Sequence, residues 1–111
     1  MIYELRSYWI NPDLMEEYMV WANEKALPLF RREGFRIIGF WRVDGEAGTP
    51  DPAGFNVVWM LQWDSREQRD REWQRVRSGP DLAKIREGIP AYHLREGNFR
   101  FLRPTPASPL Q

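Results

Sequence analysis

The alternation of apolar and polar residues along the chain predicts the element order strand, helix, strand, strand, interrupted helix, strand. β-Branched and aromatic side chains fill the four predicted strands, which cover residues 2–9, 35–43, 55–63 and 93–102. Between Asn11 and Gly34, apolar side chains recur every three or four residues, which is typical of an amphipathic helix. This order predicts the α+β class with a ferredoxin-like βαββαβ fold, in which four antiparallel strands form one sheet.

Prolines and glycines predict where these elements end or bend. Pro28 is expected to kink the last turns of the first helix. Three glycines and two prolines between residues 44 and 54 indicate a loop, and Ser78-Gly79-Pro80 interrupts the second helical region. The prolines after residue 103 cannot donate to a sheet ladder. We therefore expect one domain over residues 1–103 and a Pro-rich tail over residues 104–111.

The second helical region is polar up to about residue 77. Its arginines alternate with acidic residues, which is typical of a solvated surface, and only Trp73 and Val76 are obvious core anchors. A shorter helix is predicted over residues 81–87. Gly97 indicates a bulge in the last strand.

Both faces of the predicted third strand are apolar. One face carries Trp59 and Trp63, and the other carries Val58 and Met60. Two helices can cover only one face of a four-stranded sheet, so the tryptophans are expected to need a second cover. A second copy related by a two-fold axis supplies it, which predicts a homodimer with a barrel-like interior, rather than a monomer with an exposed apolar patch.

Composition and charge exclude several classes of function. The 111 residues suffice for one domain, and 16 Lys and Arg balance 16 Asp and Glu. The chain therefore lacks the excess of positive charge that would predict binding to nucleic acid or to a membrane surface. The chain has no Cys, which excludes disulfides and a thiolate nucleophile. With no signal-peptide pattern and no long apolar stretch, it is expected in the cytoplasm.

Three polar residues share one face of the first strand. The guanidinium of Arg6 can hold a carboxylate ligand, and the Tyr8 hydroxyl can orient it beside Glu4. The alternative is a structural Glu–Arg pair, because charged side chains enter protein interiors mainly when they are paired. A polar trio in an apolar lining is also what determines specificity in a small-molecule pocket.

His93 is the only imidazole in the chain. It is therefore the one candidate general base, and Arg6, Tyr8 and His93 are the candidate catalytic residues. No second His, Asp or Ser stands at a spacing that identifies a partner, so an ordinary histidine at a strand end is the competing interpretation. His93 and the acidic residues do not stand at a spacing typical of metal ligands, so no metal site is predicted. No cofactor is predicted either.

Trp41, Trp59 and Trp63 are candidates for the walls of a site for a flat aromatic ligand. With Glu4, Arg6 and Tyr8 they form the predicted ligand-binding set. The alternative is that the tryptophans are the core of the dimer interface, where aromatic residues are enriched.

Four segments carry a resemblance to a known family. They are residues 1–8 (MIYELRSY), 34–41 (GFRIIGFW), 63–69 (WDSREQR) and 102–110 (LRPTPASPL). Together they resemble the NIPSNAP family over almost the whole chain. The resemblance implies a dimeric α+β barrel, in a superfamily that includes cofactor-independent monooxygenases and isomerases, and it implies no general catalytic activity. Members often carry a His and a Trp in the third strand, where this sequence has Trp59 and Leu61.

Three functions remain open at this point. The first is binding of a small apolar or aromatic ligand between the two sheets of a homodimer. The second is a cofactor-independent monooxygenase or isomerase acting on an aromatic or polyketide-like substrate. The third is a protein-interaction module that docks a partner through the tail or the polar helix. An enzyme is expected to hold a pocket of at least about 300 Å³ with converging polar groups.

Overall fold

A computed structural model describes residues 1–49 and 54–111. One sheet contains four antiparallel strands in the order β2-β3-β1-β4. The strands are β1 Ile2–Tyr8, β2 Arg36–Arg42, β3 Val57–Trp63 and β4 Asn98–Leu102. This is the predicted ferredoxin-like α+β fold, with β2 and β4 at the two edges.

The helices follow β1 and β3, as predicted. They are a 3₁₀ turn Pro12–Leu14, α1 Met15–Trp21, a π turn Ala22–Ala26, α2 Leu27–Arg32, α3 Arg66–Ser78 and α4 Pro80–Ile85. The Asn11 side chain accepts a hydrogen bond from the Asp13 backbone N–H, and the Ser65 hydroxyl accepts one from the Gln68 backbone N–H. Both caps satisfy donors that a helix start leaves free. No helix in the described part of the chain combines the length and the hydropathy that a membrane span requires.

The distortion predicted at Pro28 takes the form of the π turn. The Leu27 N–H donates to the Ala22 carbonyl, five residues back along the chain. Pro28 lacks an N–H and cannot continue the α-helical ladder, and the wider turn directly before it accommodates that missing donor.

The last strand is shorter than predicted. It begins at Asn98, and His93 forms only an isolated bridge with Ile10. The bulge predicted at Gly97 is wrong, because Gly97 precedes the strand, while the register shift in the sheet lies between Ile37 and Gly39. Of the predicted loop over residues 44–54, residues 50–53 lie outside the described residues.

The helices cover the face of β3 that carries the tryptophans. Val57, Trp59, Leu61 and Trp63 are all buried, and α3 contributes the predicted anchors Trp73 and Val76 to the same core. The expectation that Trp59 and Trp63 need a second copy as cover is therefore wrong. Because both faces of β3 are apolar, the sequence pattern does not distinguish the inner face from the outer one.

The second face of the sheet carries Trp41, Val58 and Met60, which lie side by side through the β2–β3 register. The Pro-rich tail packs at one end of this face, where the Tyr3 hydroxyl donates to the Gln111 carbonyl at 2.8 Å. Tyr3 is buried, while Trp41 at the other end stays 45% exposed. Docking of a partner by this tail stays a prediction.

Candidate functional site

A fully buried carboxylate on β1 organises the space between the sheet and the helices. Both oxygens of Glu4 accept hydrogen bonds. Oε1 accepts from the indole N–H groups of Trp63 and Trp73, each at 3.0 Å. Oε2 accepts from Arg6 Nη1 at 2.8 Å and from Arg69 Nη2 at 2.6 Å and Nε at 3.1 Å. Five donors thus converge on one side chain, which is what a buried charge requires.

The charge of Glu4 is held in its ionised form. Burial raises the pKa of the Glu4 carboxyl, but hydrogen bonds from Arg69 and Trp73 and the charge of Arg6 outweigh it, so its pKa lies below the usual 4.5. Arg69 was predicted to lie on a solvated face, and that prediction is wrong. Its side chain is only 13% exposed because α3 turns it toward Glu4 together with Trp73, four residues later on the same face.

The polar network continues from Arg6 to Tyr8. The Tyr8 hydroxyl oxygen accepts hydrogen bonds from Arg6 Nε and from Trp59 Nε1, both at 2.9 Å. A phenol oxygen has two acceptor positions, so both are in use and only its proton remains to be donated. No acceptor for that proton exists among the described residues.

Tyr8 lies in the wall of a cavity between the sheet and the helices. The cavity has a volume of about 80 Å³ and opens partly to solvent. Aromatic and aliphatic side chains form most of its surface, and the polar groups that reach it come from Arg6, Tyr8, Tyr18, Arg77, Arg86 and His93. Small side chains of the π turn, Ala22 and Ala26, leave this space open. Such turns are frequent at functional sites.

The only histidine also lines this cavity. The His93 ring lies edge-on against Tyr8, with 4.8 Å between ring centroids, and also contacts Tyr18. Partial burial and the charges of Arg86 and Arg6 lower the pKa of His93 below its usual 6.5. The imidazole is therefore neutral near pH 7 and is able to accept a proton.

Tyr18 also lines the cavity. Burial raises the pKa of the Tyr18 hydroxyl well above its usual range, and the neighbouring Tyr8 adds a smaller increase. The charge of Arg6 opposes this shift. Tyr18 therefore stays protonated over the physiological range.

The structure brings the three candidate catalytic residues Arg6, Tyr8 and His93 to one cavity, together with Trp59. Glu4 and Trp63 lie behind its wall and hold Arg6 in place. The remaining member of the predicted ligand-binding set is on the opposite face of the sheet, because Trp41 pairs in register with Val58. The predicted position of the site between two sheets is thus wrong for all of these residues except Trp41.

Three arginines and one tyrosine were missed by the sequence interpretation. Arg69, Arg77 and Arg86 follow β3 in the helical region, and Tyr18 is one of the periodic side chains between Asn11 and Gly34 that predict the first helix. A signal was available for two of them, since Arg69 and Arg77 each lie four residues from the anchor Trp73 and share its helix face. Arg86 follows α4 and has no such signal.

These features define a ferredoxin-like α+β protein with a charged cluster buried under its helices and a small, partly open cavity beside that cluster. The sequence model of the NIPSNAP family matches residues 3–109. The chain therefore belongs to the NIPSNAP family. Among curated proteins, none matches it significantly.

Several solved structures share the fold. An uncharacterised NIPSNAP domain protein from Burkholderia xenovorans is 22% identical, with a TM-score of 0.80, and the alignment covers 98% of this chain and 99% of that one. A NIPSNAP family protein from Agrobacterium tumefaciens is also 22% identical, with a TM-score of 0.82 and coverage of 99% and 98%. A protein described as an antibiotic biosynthesis monooxygenase is 14% identical, with a TM-score of 0.63 and coverage of 96% and 100%. At these identities the similarity establishes the fold alone.

Proposed function

We propose that this NIPSNAP protein binds a small ligand in the cavity between its sheet and its helices, through a ligand oxygen that accepts a hydrogen bond from Tyr8. The observation that supports this most directly is the Tyr8 hydroxyl, whose oxygen already accepts from Arg6 and Trp59. Its proton is left as a donor at the cavity wall. A pocket with an apolar lining and a few fixed polar groups is the usual form of a small-molecule site.

The volume limits the ligand. An engineered cavity of about 150 Å³ is large enough for benzene, and this cavity measures about 80 Å³. This cavity is about half that size, so it encloses only a small group or part of a larger ligand, and the rest extends through the open side. The cavity is also well below the roughly 300 Å³ expected of an ordinary enzyme pocket. A polyketide-like substrate would not be fully enclosed by it.

Removal of one oxygen atom tests the role of Tyr8. Propionamide, a neutral probe with a carbonyl acceptor, is expected to bind the wild type and to bind Tyr8→Phe about three- to tenfold more weakly, since one hydrogen bond contributes about 1 kcal/mol. Titration followed by NMR chemical shifts of the tryptophan indole N–H groups measures both affinities.

Tyr3→Phe is the matched control, because it removes a buried tyrosine hydroxyl from the opposite face of the sheet. It should leave the affinity for propionamide unchanged. Circular dichroism establishes that each variant is folded at the temperature of the titration. Equal affinities of the wild type and Tyr8→Phe would contradict the proposed function.

Proton transfer at the bound ligand is a second candidate function, and the position of His93 favours it. Tyr8 polarises a ligand carbonyl, and the neutral imidazole beside it accepts a proton from the adjacent carbon. The carbon–hydrogen electron pair moves into the new carbon–carbon double bond, and the carbonyl oxygen becomes the enolate oxygen. Return of the proton from the His93 imidazolium to another atom of the enolate regenerates the neutral imidazole and completes an isomerisation, which needs no cofactor.

We also propose that two copies pair through the second face of the sheet. Trp41 and Leu102 are exposed on this face by 45% and 40%, and Val58 and Met60 are only half-buried. The tail leaves this apolar area uncovered around Trp41. A two-fold axis would place identical patches against one another and remove them from water.

Sedimentation equilibrium at micromolar concentration is expected to give twice the chain mass of 13.3 kDa. Trp41→Glu should weaken the dimer about 30-fold or more, because central tryptophans contribute 2 kcal/mol or more at interfaces. Val20→Glu is the control, since Val20 is 56% exposed on α1, away from this face. A wild type that sediments as a monomer would exclude the dimer.

A further inference from the structure

Positively charged side chains line the cavity without an equal number of negatively charged ones. Its lining contains three arginines and no carboxylate. The charge of Arg6 is balanced by Glu4, with 2.8 Å between Nη1 and Oε2. Arg77 and Arg86 have no carboxylate within 4.0 Å among the described residues, although most arginines of α3 do. Two positive charges thus stand at the cavity without a counter-ion.

The positive charge of Arg77 is repelled by those of Arg6 and Arg86. Arg77 lies over the Trp73 ring, 4.9 Å from its centroid, and partial burial and the charges of Arg6 and Arg69 lower its pKa against the opposing charge of Glu4. Arg86 and Arg6 act in the same direction on His93. A negative charge bound here would reduce this repulsion, which is how a positively lined cleft favours anions.

The remaining lining indicates which kind of anion fits. Ala22, Leu27 and Phe40 present apolar surface beside the arginines. Inorganic phosphate has no apolar part to contact them, whereas a short-chain carboxylic acid has one. Its carboxylate also matches the planar fork of a guanidinium, with two parallel hydrogen bonds.

We infer that the cavity recognises a short-chain organic carboxylate, with Arg77 and Arg86 as the residues that select the negative charge. This inference rests on the proposed function, in which the cavity is a ligand site, and it adds the chemical class of the ligand. One oxygen of the ligand carboxylate accepts from Tyr8, the negative charge faces the two arginines, and the hydrocarbon part contacts the apolar wall.

The test compares two probes of nearly equal shape on the full chain. Propionate is expected to bind about tenfold more tightly than propionamide, because hydrogen bonds to ionised groups are about twice as strong as neutral ones. In Arg77→Gln/Arg86→Gln the two affinities should become equal. Arg71→Gln, which removes an exposed arginine of α3 outside the lining, should retain the difference.

A second measurement reports on the site itself. His93 is the only histidine, so its ring C–H resonance gives a single titration curve by NMR. Saturating propionate should raise the pKa of His93, and propionamide should not. By linkage, propionate should bind more tightly as the pH falls through that pKa. This readout depends on charge near His93 and would not respond to a general change in stability.

The outcomes separate this inference from the proposed function. If propionamide binds through Tyr8 and propionate binds no better, the charge selection is wrong and the ligand site stands. If inorganic phosphate binds as tightly as propionate, the assignment to carboxylates is overturned. If propionate binding depends on the two arginines and is unaffected by Tyr8→Phe, the carboxylate assignment stands and the role of Tyr8 does not. If no probe binds, both proposals fail.

Discussion

Glu4→Gln is expected to lower the free energy of unfolding by about 3–5 kcal/mol, the usual cost of removing one partner of a buried ion pair. The substitution conserves the size of the side chain and removes its charge. Arg6 then remains buried without a counter-ion, and Arg69 keeps only its pair with the exposed Asp70. A glutamine amide also has one acceptor oxygen in place of the two that receive five hydrogen bonds here. Urea unfolding at pH 7 measures the change.

Asp64→Asn is the matched control for this experiment. It removes a carboxylate that pairs with Arg36 at 3.0 Å on the surface, where the two side chains are 64% and 40% exposed. Exposed pairs contribute little, so the loss should stay below about 1 kcal/mol. Similar losses for the two variants would show that the buried network is not a major determinant of stability.

The stability that Glu4→Gln loses relative to the wild type should depend on pH in a definite direction. The pKa of Glu4 in the folded chain is below its usual 4.5, so the unfolded chain binds the proton more readily. The stabilisation is therefore complete above about pH 4.5 and is lost as the pH falls through the pKa of the folded state. The stability difference between the wild type and Glu4→Gln should shrink over that acid range, and a constant difference would contradict the assignment.

Gly97→Ala is expected to destabilise the fold by about 1–3 kcal/mol and to weaken ligand binding, because it forces an extra carbon into a filled space. A Cβ at this position would lie 2.8 Å from Tyr8 Cδ1 and 3.1 Å from the Phe99 ring. Tyr8 cannot move away without losing its hydrogen bonds from Arg6 and Trp59. Urea unfolding and the propionamide titration measure the two effects.

Gly79→Ala provides the comparison for Gly97→Ala. A Cβ at Gly79 would meet only the Val76 and Arg75 carbonyl oxygens, at 3.5 and 3.6 Å, and its backbone conformation, with φ at −81°, suits any residue. The stability of Gly79→Ala should equal or slightly exceed that of the wild type. If both alanine variants behave alike, the position of Tyr8 does not depend on the missing side chain at Gly97.

Local patterns predicted the element order well, because periodicity is a property of neighbouring residues. The alternation in β1 also placed Glu4, Arg6 and Tyr8 on one face, and the structure confirms that these residues share it. The tail and domain boundary at residues 103 and 104 stays a prediction.

The position of the site was not available from the same patterns. β3 is apolar on both faces, so its periodicity does not indicate which face the helices cover. The charged face of β1 lies inside because Arg69, 65 residues away along the chain, completes the coordination of Glu4. Such pairing is decided by tertiary packing, which a local pattern does not contain.

The π turn Ala22–Ala26 also explains a spacing in the first helical region. Tyr18, Ala22, Ala26 and Phe30 stand four residues apart, and all four line the cavity. Along a regular α-helix, side chains with this spacing drift by about 40° at each step, or about 120° over three steps. One additional residue in the turn compensates for most of that rotation. The wide turn thus keeps along the cavity a row of side chains that would otherwise turn away from it, with the two alanines in the middle of the row and an aromatic ring at each end.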